Sequence, residues 1–122
     1  SLWRFPGGFC DPTDQSLEVA AYRELREETG LVVRPDQWSY GFSTLVDDWR
    51  YRYSVDKIQT TMMTYAIPTD EECPTVQAGY DLQAAKFLDM NVITLNDIVP
   101  EHRPLMEKFV MTRPLSKIRR YE

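Results

Sequence analysis

The sequence predicts an α/β domain, because it contains one well-delimited helical segment and two strand-like segments. The helical segment, residues 16–30, has a serine at its start and a glycine at its end. Residues 38–46 and 58–67 have the character of strands, and the second segment is rich in Thr, Met, Tyr and Ile. A chain of 122 residues has enough length for one modest core, and this one contains no internal repeat, linker or low-complexity segment. We therefore expect a single domain over residues 1–122.

Local signals delimit the elements up to the end of the helix. Residues 2–5 alternate aromatic and polar side chains like a short strand, and the Pro-Gly-Gly run at residues 6–8 forces a turn. A loop then continues to Gln15. Ser16 is the predicted N-cap of the helix. Gly30 stands where a left-handed C-cap residue is expected.

The elements after the helix are less sharply marked. A charged and aromatic stretch, residues 47–53, separates the two predicted strands, and residues 68–82 form a polar loop. Residues 84–88 suggest a further strand. The last predicted helix opens at Pro100 and carries apolar residues at helical spacing, namely Leu105, Met106, Phe109 and Val110.

Composition and charge restrict the classes of partner. The chain is 43% apolar and 27% charged, like an ordinary globular protein, and no apolar run approaches the ~20 residues that span a bilayer. Its net charge of -5 argues against binding to a nucleic-acid backbone, but acids can bind a small polyanion through bridging cations. Cys10 and Cys73 make no disulfide framework, which favours a cytoplasmic location.

The helical segment carries a cluster of acids. Glu24, Glu27 and Glu28 fall within an arc of about 100° around the helix axis, beside small alanines. Like charges at these spacings repel each other, and a divalent cation would turn that repulsion into attraction. The alternative is a solvated amphipathic helix on which Arg23 and Glu27 form a surface ion pair. The residues that surround the cluster favour a metal site.

Residues 23–31, Arg-Glu-Leu-Arg-Glu-Glu-Thr-Gly-Leu, resemble the second half of the Nudix box of nucleoside diphosphate-X hydrolases at every specified position. The first half of the box departs from the family pattern twice. Gln15 stands where the family has a glutamate, and the required glycine falls at Phe9, one residue after Gly8. These departures imply a one-residue insertion in the loop, which could carry Asp11 or Asp14 into the vacant place.

The resemblance implies a fold and a set of roles. The fold is a mixed β-sheet sandwiched between α-helices, with the box helix packed on one face. Glu27 and Glu28 would be the main ligands of Mg²⁺ or Mn²⁺, and Glu24 would be a further ligand or would position the attacking water. Arg23 would orient a carboxylate of the cluster. The backbone of Gly7 or Gly8 would approach the metal or the diphosphate, since neither has a side chain.

Looser similarity extends over most of the remaining chain and points to the ADP-ribose pyrophosphatases. Trp49, Arg50 and Arg52 would then bind the substrate, by stacking on its base and by contacting its phosphates; the alternative is a charged surface loop. Candidates for a general base lie on later loops, at Glu71, Glu72 and Asp81. The lone histidine, His102, is interpreted as a packing or helix N-terminal residue.

The resemblance implies Mg²⁺-dependent hydrolysis of ADP-ribose to AMP and ribose 5-phosphate. Two alternatives stay open: hydrolysis of nucleoside triphosphates or dinucleoside polyphosphates, and a sensor that binds ADP-ribose-like ligands without cleaving them. Because the first strand begins at Leu2, we also expect the domain to lack N-terminal strand residues. A longer protein, an exchanged strand or a homodimer would complete such a sheet.

Overall fold

A computed structural model describes residues 2–51, 58–67, 74–79, 82 and 84–112 of the protein. It contains two helices, α1 (Leu17–Thr29) and α2 (Arg103–Thr112), and two strands, β1 (Ser39–Val46) and β2 (Ile58–Thr64), that form a hydrogen-bonded sheet. Short 3₁₀ helices lie at Pro35–Gln37, Trp49–Tyr51, Leu95–Asp97 and Pro100–His102. Helices combined with a sheet confirm the predicted α/β class. Neither helix in these ranges has the length and apolar character that a bilayer crossing needs.

Both predicted caps of α1 are confirmed. The Ser16 hydroxyl accepts a hydrogen bond of 3.1 Å from the Val19 amide, which satisfies one donor of the first turn. Gly30 adopts a left-handed conformation with φ of 77°, and its amide donates to the Arg26 carbonyl at 2.9 Å. The helix therefore begins and ends where its own sequence specifies.

The chain divides into two compact units. The first unit comprises Ser1–Arg4, Gly41–Met62 and Thr94–Glu122, and the second comprises Phe5–Tyr40 and Met63–Ile93. Helix α1 belongs to the second unit and α2 to the first.

The core of the second unit holds α1 in place. Leu25, Leu31 and Val33 are buried together, and the partly buried side chains packed against them are Trp38, Tyr65 and Val76. The Trp38 indole donates to the Val33 carbonyl at 3.0 Å, so its polar atom is satisfied. Its ring meets that of Tyr65 edge to face, with 4.9 Å between the centroids. One side of α1 is thereby fixed against an apolar cluster.

In the first unit, the N-terminal residues pair with the segment that precedes α2. Trp3 and Ile98 form an isolated parallel bridge, in which the Trp3 amide donates to the Asp97 carbonyl at 2.8 Å and the Val99 amide donates to Trp3 at 3.0 Å. The Arg103 guanidinium donates to the Leu95 and Ile98 carbonyls at 3.0 Å each. These bonds attach the start of α2 to the bridge.

Four predicted elements differ from the observed ones. Residues 84–88 form no strand, because this segment joins no hydrogen-bonded ladder within the described ranges. Phe87, in the middle of the segment, is 40% exposed. Residues 2–5 contribute a single bridge instead of a strand. Strand β2 ends at Thr64, whereas the predicted strand continued to residue 67. The predicted last helix begins as the 3₁₀ turn Pro100–His102 and becomes α-helical at Arg103.

The cap of α1 provides a test of its local stability. Ser16→Ala removes the acceptor for the Val19 amide, so we expect the free energy of unfolding to fall by about 1 kcal/mol. Urea denaturation measures this change. Ser16→Gly is the matched control and should cost only a few tenths of a kcal/mol, because glycine is itself tolerated at an N-cap. Equal losses in the two variants would contradict the role assigned to the hydroxyl.

Candidate active site

Two carboxylates of α1 meet the glycine turn at residues 7–8. The Gly7 amide donates to Glu28 Oε2 at 3.1 Å. A Cβ atom on Gly8 would lie 2.6 Å from Glu24 Oε1 and 2.8 Å from its Cδ, closer than real contacts allow. A side chain at position 8 would therefore displace the Glu24 carboxylate from its observed position.

The electrostatics of this pair leave negative charge uncompensated. Burial raises the pKa of Glu28, because it disfavours the charged form, and the nearby carboxylates of Glu24 and Glu27 raise it further. The hydrogen bond from Gly7 acts in the opposite direction but does not reverse the shift. A bound cation would stabilise the charged form of such a carboxylate, which is half-buried and repelled by its neighbour.

Glu27 stands apart from this pair. Its side chain is 57% exposed, and its carboxylate lies 3.7 Å from the Arg23 guanidinium. Within the residues that the structure describes, no three His, Cys, Asp or Glu side chains converge as a metal site. Hard carboxylate oxygens nevertheless have the donor chemistry that Mg²⁺ and Mn²⁺ prefer. Glu27 would have to turn from Arg23 to bind one cation together with Glu24 and Glu28.

Arg23 joins the acid cluster to the preceding loop. Its Nε and Nη2 atoms donate to the two oxygens of Asp14 at 3.1 and 2.7 Å, and its Nη1 atom donates to Glu24 Oε1 at 2.9 Å. The bond from Arg23 is the main cause that lowers the pKa of Asp14. A two-pronged arginine–carboxylate contact fixes orientation as well as charge, so the guanidinium is held in position while it contacts Glu24.

The same contact shows which acid of the loop reaches the cluster. The spacing of the family pattern assigns this place to Gln15, which is exposed. Asp14 is 5% exposed at its side chain and carries the ion pair with Arg23. Asp11 instead stabilises the local turn, since its carboxylate accepts hydrogen bonds from the Thr13 amide and hydroxyl at 2.9 and 2.7 Å. The inserted residue shifts the loop relative to the family pattern. Spacing alone could not decide whether Asp11 or Asp14 would take the place of the family's glutamate.

Two of the predicted substrate-binding residues, Trp49 and Arg50, belong to the first unit, where Arg50 has a protein partner. Its Nε and Nη2 atoms contact Asp48, whose side chain is 5% exposed, with a shortest distance of 2.6 Å. Arg4 donates to Glu101 at 2.6 Å and lies 3.8 Å from Asp48. The hydrogen bonds from Arg50 lower the pKa of Asp48 to about 2, against the penalty of its burial. These four residues form a charge-balanced cluster.

Substrate binding by Trp49, Arg50 and Arg52 stays a prediction. Trp49 is 63% exposed, whereas the Arg50 guanidinium already binds Asp48. Arg52 lies outside the described residues, as do the candidate general bases Glu71, Glu72 and Asp81. Burial is the main cause that lowers the pKa of His102 to about 4, and its imidazole is neutral near pH 7.

Comparisons with known proteins place these residues in context. The sequence profile of the NUDIX domain matches residues 1–109. The mitochondrial coenzyme A diphosphatase NUDT8 of Homo sapiens is 50% identical over 44 residues, which are 36% of this chain and 18% of that protein. Phosphatase NudJ of Escherichia coli K12 is 28% identical over 93 residues, 76% of this chain and 55% of that protein. The matched part is thus about half of NudJ and less than a fifth of NUDT8. No solved structure gives a significant match.

These matches confirm the predicted Nudix fold, but they do not confirm the predicted branch of the family. The profile covers α1, both strands and most of α2. The two relatives are named as a coenzyme A diphosphatase and a phosphatase, so they do not point specifically to the ADP-ribose pyrophosphatases.

The ion pair between Asp14 and Arg23 leads to a prediction about the loop. Asp14→Asn removes the charge that fixes Arg23, so Arg23 should hold Glu24 less well, and the rate of the diphosphate hydrolysis that the Nudix resemblance implies should fall by about 10- to 100-fold. Gln15→Glu is the matched control, and it should change the rate little because Asp14 already fills the place. Steady-state kinetics on the two variants check this. A rate gain in Gln15→Glu, with no loss in Asp14→Asn, would reverse the assignment.

The cluster around Asp48 predicts a pH-dependent contribution to stability. Asp48→Asn should lower the free energy of unfolding at pH 7 by about 1 to 2 kcal/mol, less than for a fully buried pair because Arg50 and Arg4 are partly exposed. Since the folded-state pKa is depressed, the contribution exists above the usual aspartate value of roughly 4 and is lost as the pH falls towards 2. Urea unfolding of both proteins at pH 7, 5 and 3 should show the difference shrinking. A difference that is constant with pH would exclude the ion pair as its source.

Proposed function

This chain belongs to the Nudix family, and on that premise we propose that it hydrolyses the diphosphate bond of a nucleoside diphosphate linked to another group. The observation that carries the proposal is the half-buried Glu24–Glu28 pair against the glycine turn, with the pKa of Glu28 raised. Glu24, Glu27 and Glu28 would hold the divalent cation. The expected partner is a small nucleotide.

The residues of the second unit have separable tasks in this proposal. A bound Mg²⁺ or Mn²⁺ would supply charge neutralisation at the diphosphate and a lowered pKa for the attacking water. Gly7 fixes one oxygen of Glu28 through its amide, and Gly8 leaves room for Glu24. Arg23 is held by Asp14 and orients Glu24, which serves as a further ligand or positions the water. The backbone of Gly8 can approach a phosphate because it carries no side chain.

Two substrates that both contain an adenosine diphosphate unit are favoured, although coenzyme A carries a further phosphate on the ribose of that unit. ADP-ribose follows from the loose similarity of the later segments, and its products would be AMP and ribose 5-phosphate. Coenzyme A is the second candidate, and the segment that is 50% identical to a coenzyme A diphosphatase favours it. The exposed Trp49 ring can stack on an adenine in either case.

A substrate panel separates these proposals from the alternatives. The purified protein is incubated with Mg²⁺ and, separately, with ADP-ribose, coenzyme A, ATP and a dinucleoside polyphosphate, and the products are resolved by chromatography. AMP from ADP-ribose, or a phosphopantetheine from coenzyme A, would identify the substrate. Cleavage of triphosphates or dinucleoside polyphosphates alone would favour the other enzymatic interpretation. Tight binding of ADP-ribose without any cleavage would favour a sensor.

The acid pair predicts opposite effects on rate and stability. Glu28→Gln should lower kcat by at least about 100-fold, because an amide is a poor ligand for a hard cation. The same change removes a repelled, half-buried charge, so the free energy of unfolding without metal should stay the same or rise. Kinetics and urea denaturation measure the two quantities.

Glu18→Gln is the control for that experiment, because it makes the same chemical change in the first turn of α1, away from the acid cluster. Its kcat should stay within about twofold of the original, since a surface substitution away from the site has a small effect. Unchanged turnover in Glu28→Gln, or in excess chelator, would remove the proposed metal chemistry.

A further inference from the structure

The C-terminal end of α1 is held by a segment from much later in the chain, residues 74–79. The last four carbonyls of a helix have no partner within it. The Gly30 cap supplies one partner, at Arg26. The later segment supplies two more, since the Gln77 amide donates to the Thr29 carbonyl at 2.9 Å and the Gly79 amide donates to the Glu28 carbonyl at 2.8 Å. The backbone that carries Glu28 is therefore bonded to a second piece of chain.

Gly79 approaches this backbone more closely than any other residue type could. A Cβ atom placed on it would overlap the Glu27 carbonyl oxygen and would lie 3.1 Å from both the Glu27 carbonyl carbon and the Glu28 Cα atom. The φ angle of Gly79 is not positive; among the described glycines, only Gly30 has a positive φ. Glycine is required at position 79 by contact with α1 and not by its own backbone conformation.

We propose that Gly79 is a positioning residue for the metal-binding carboxylates, an inference that rests on the proposed function. It contacts the backbone of Glu27 and Glu28, the two glutamates expected to be the main ligands. A side chain at position 79 would push this backbone away and move both carboxylates with it. Because Mg²⁺ demands near-ideal octahedral geometry, small displacements of its ligands weaken binding.

A purely structural role for Gly79 makes a different prediction. If the contact only stabilised the end of α1, a bulkier residue would lower the unfolding temperature and leave the site intact in every molecule that is folded. If it positions the carboxylates, metal affinity falls even at temperatures where the variant is fully folded. Metal affinity in the folded protein therefore distinguishes the two roles.

The experiment measures Mn²⁺ binding to Gly79→Ala by calorimetry, at a temperature where circular dichroism shows the variant to be folded. We expect affinity about 10- to 100-fold weaker than in the original protein, the usual cost of disturbing residues that support metal ligands. At saturating Mn²⁺, kcat should fall while the KM for the nucleotide changes little. Gln77→Ala is the matched control; its side chain is exposed and its contact with Thr29 is through the backbone, so its affinity should be unchanged.

A measurement on the unaltered protein covers the case in which Gly79→Ala fails to fold. Addition of Mg²⁺ should slow hydrogen exchange at the Gly79 amide, because ordering of Glu28 by the cation strengthens the bond from Gly79 to its carbonyl. Unchanged exchange on Mg²⁺ binding, or native Mn²⁺ affinity in folded Gly79→Ala, overturns the role of Gly79 while the proposed function stands. Absence of Mn²⁺ binding in the original protein overturns the proposed function, and this inference with it.

Discussion

The repulsion between carboxylates on one side of α1 is the constraint on which the rest of the site depends. Glu24 and Glu28 are brought together by the helix itself, and burial raises the cost of the charge on Glu28. The surrounding residues moderate this cost, since Gly7 donates to Glu28 and Arg23 donates to Glu24. The donors that reach the pair hold it in place without neutralising it, which leaves the site electrostatically suited to a divalent cation.

Local signals in the sequence were sufficient to predict the bounds of α1, whereas contacts between distant parts of the chain could not be predicted from the sequence. The caps at Ser16 and Gly30 were predicted correctly because each depends on residues within a few positions along the chain. The strand expected at residues 84–88 was wrong because a strand exists only with a partner, and spacing carries no information about partners. The role of Gly79 could not be predicted for the same reason: its contact is with α1, far away in sequence.

The candidate site likewise contains residues that the sequence could identify and residues that only the structure could place. The pattern from residue 23 to residue 31 identified the acids, because helical periodicity converts spacing into geometry. In the preceding loop no periodicity applies, and one inserted residue decides which carboxylate meets Arg23. The side chains of Asp14 and Gln15 could be distinguished only by where the loop places them, and Asp14 is the one that forms the ion pair. The substrate contact predicted for Arg50 competes with a local ion pair, since Asp48 lies only two residues earlier in the sequence.

The glycines of the second unit differ in how much sequence change each could accommodate. Gly7 has open space around its Cα atom, and Gly30 is constrained by its φ angle, which asparagine can also adopt. A Cβ atom on Gly79 would overlap the backbone of α1, whereas one on Gly8 would meet the end of the Glu24 side chain, which could move only by leaving its observed position in the site. Random mutagenesis of this protein should therefore tolerate exchange at position 7 and not at position 79, and the intolerant position would mark the helix of the acid cluster without knowledge of any ligand.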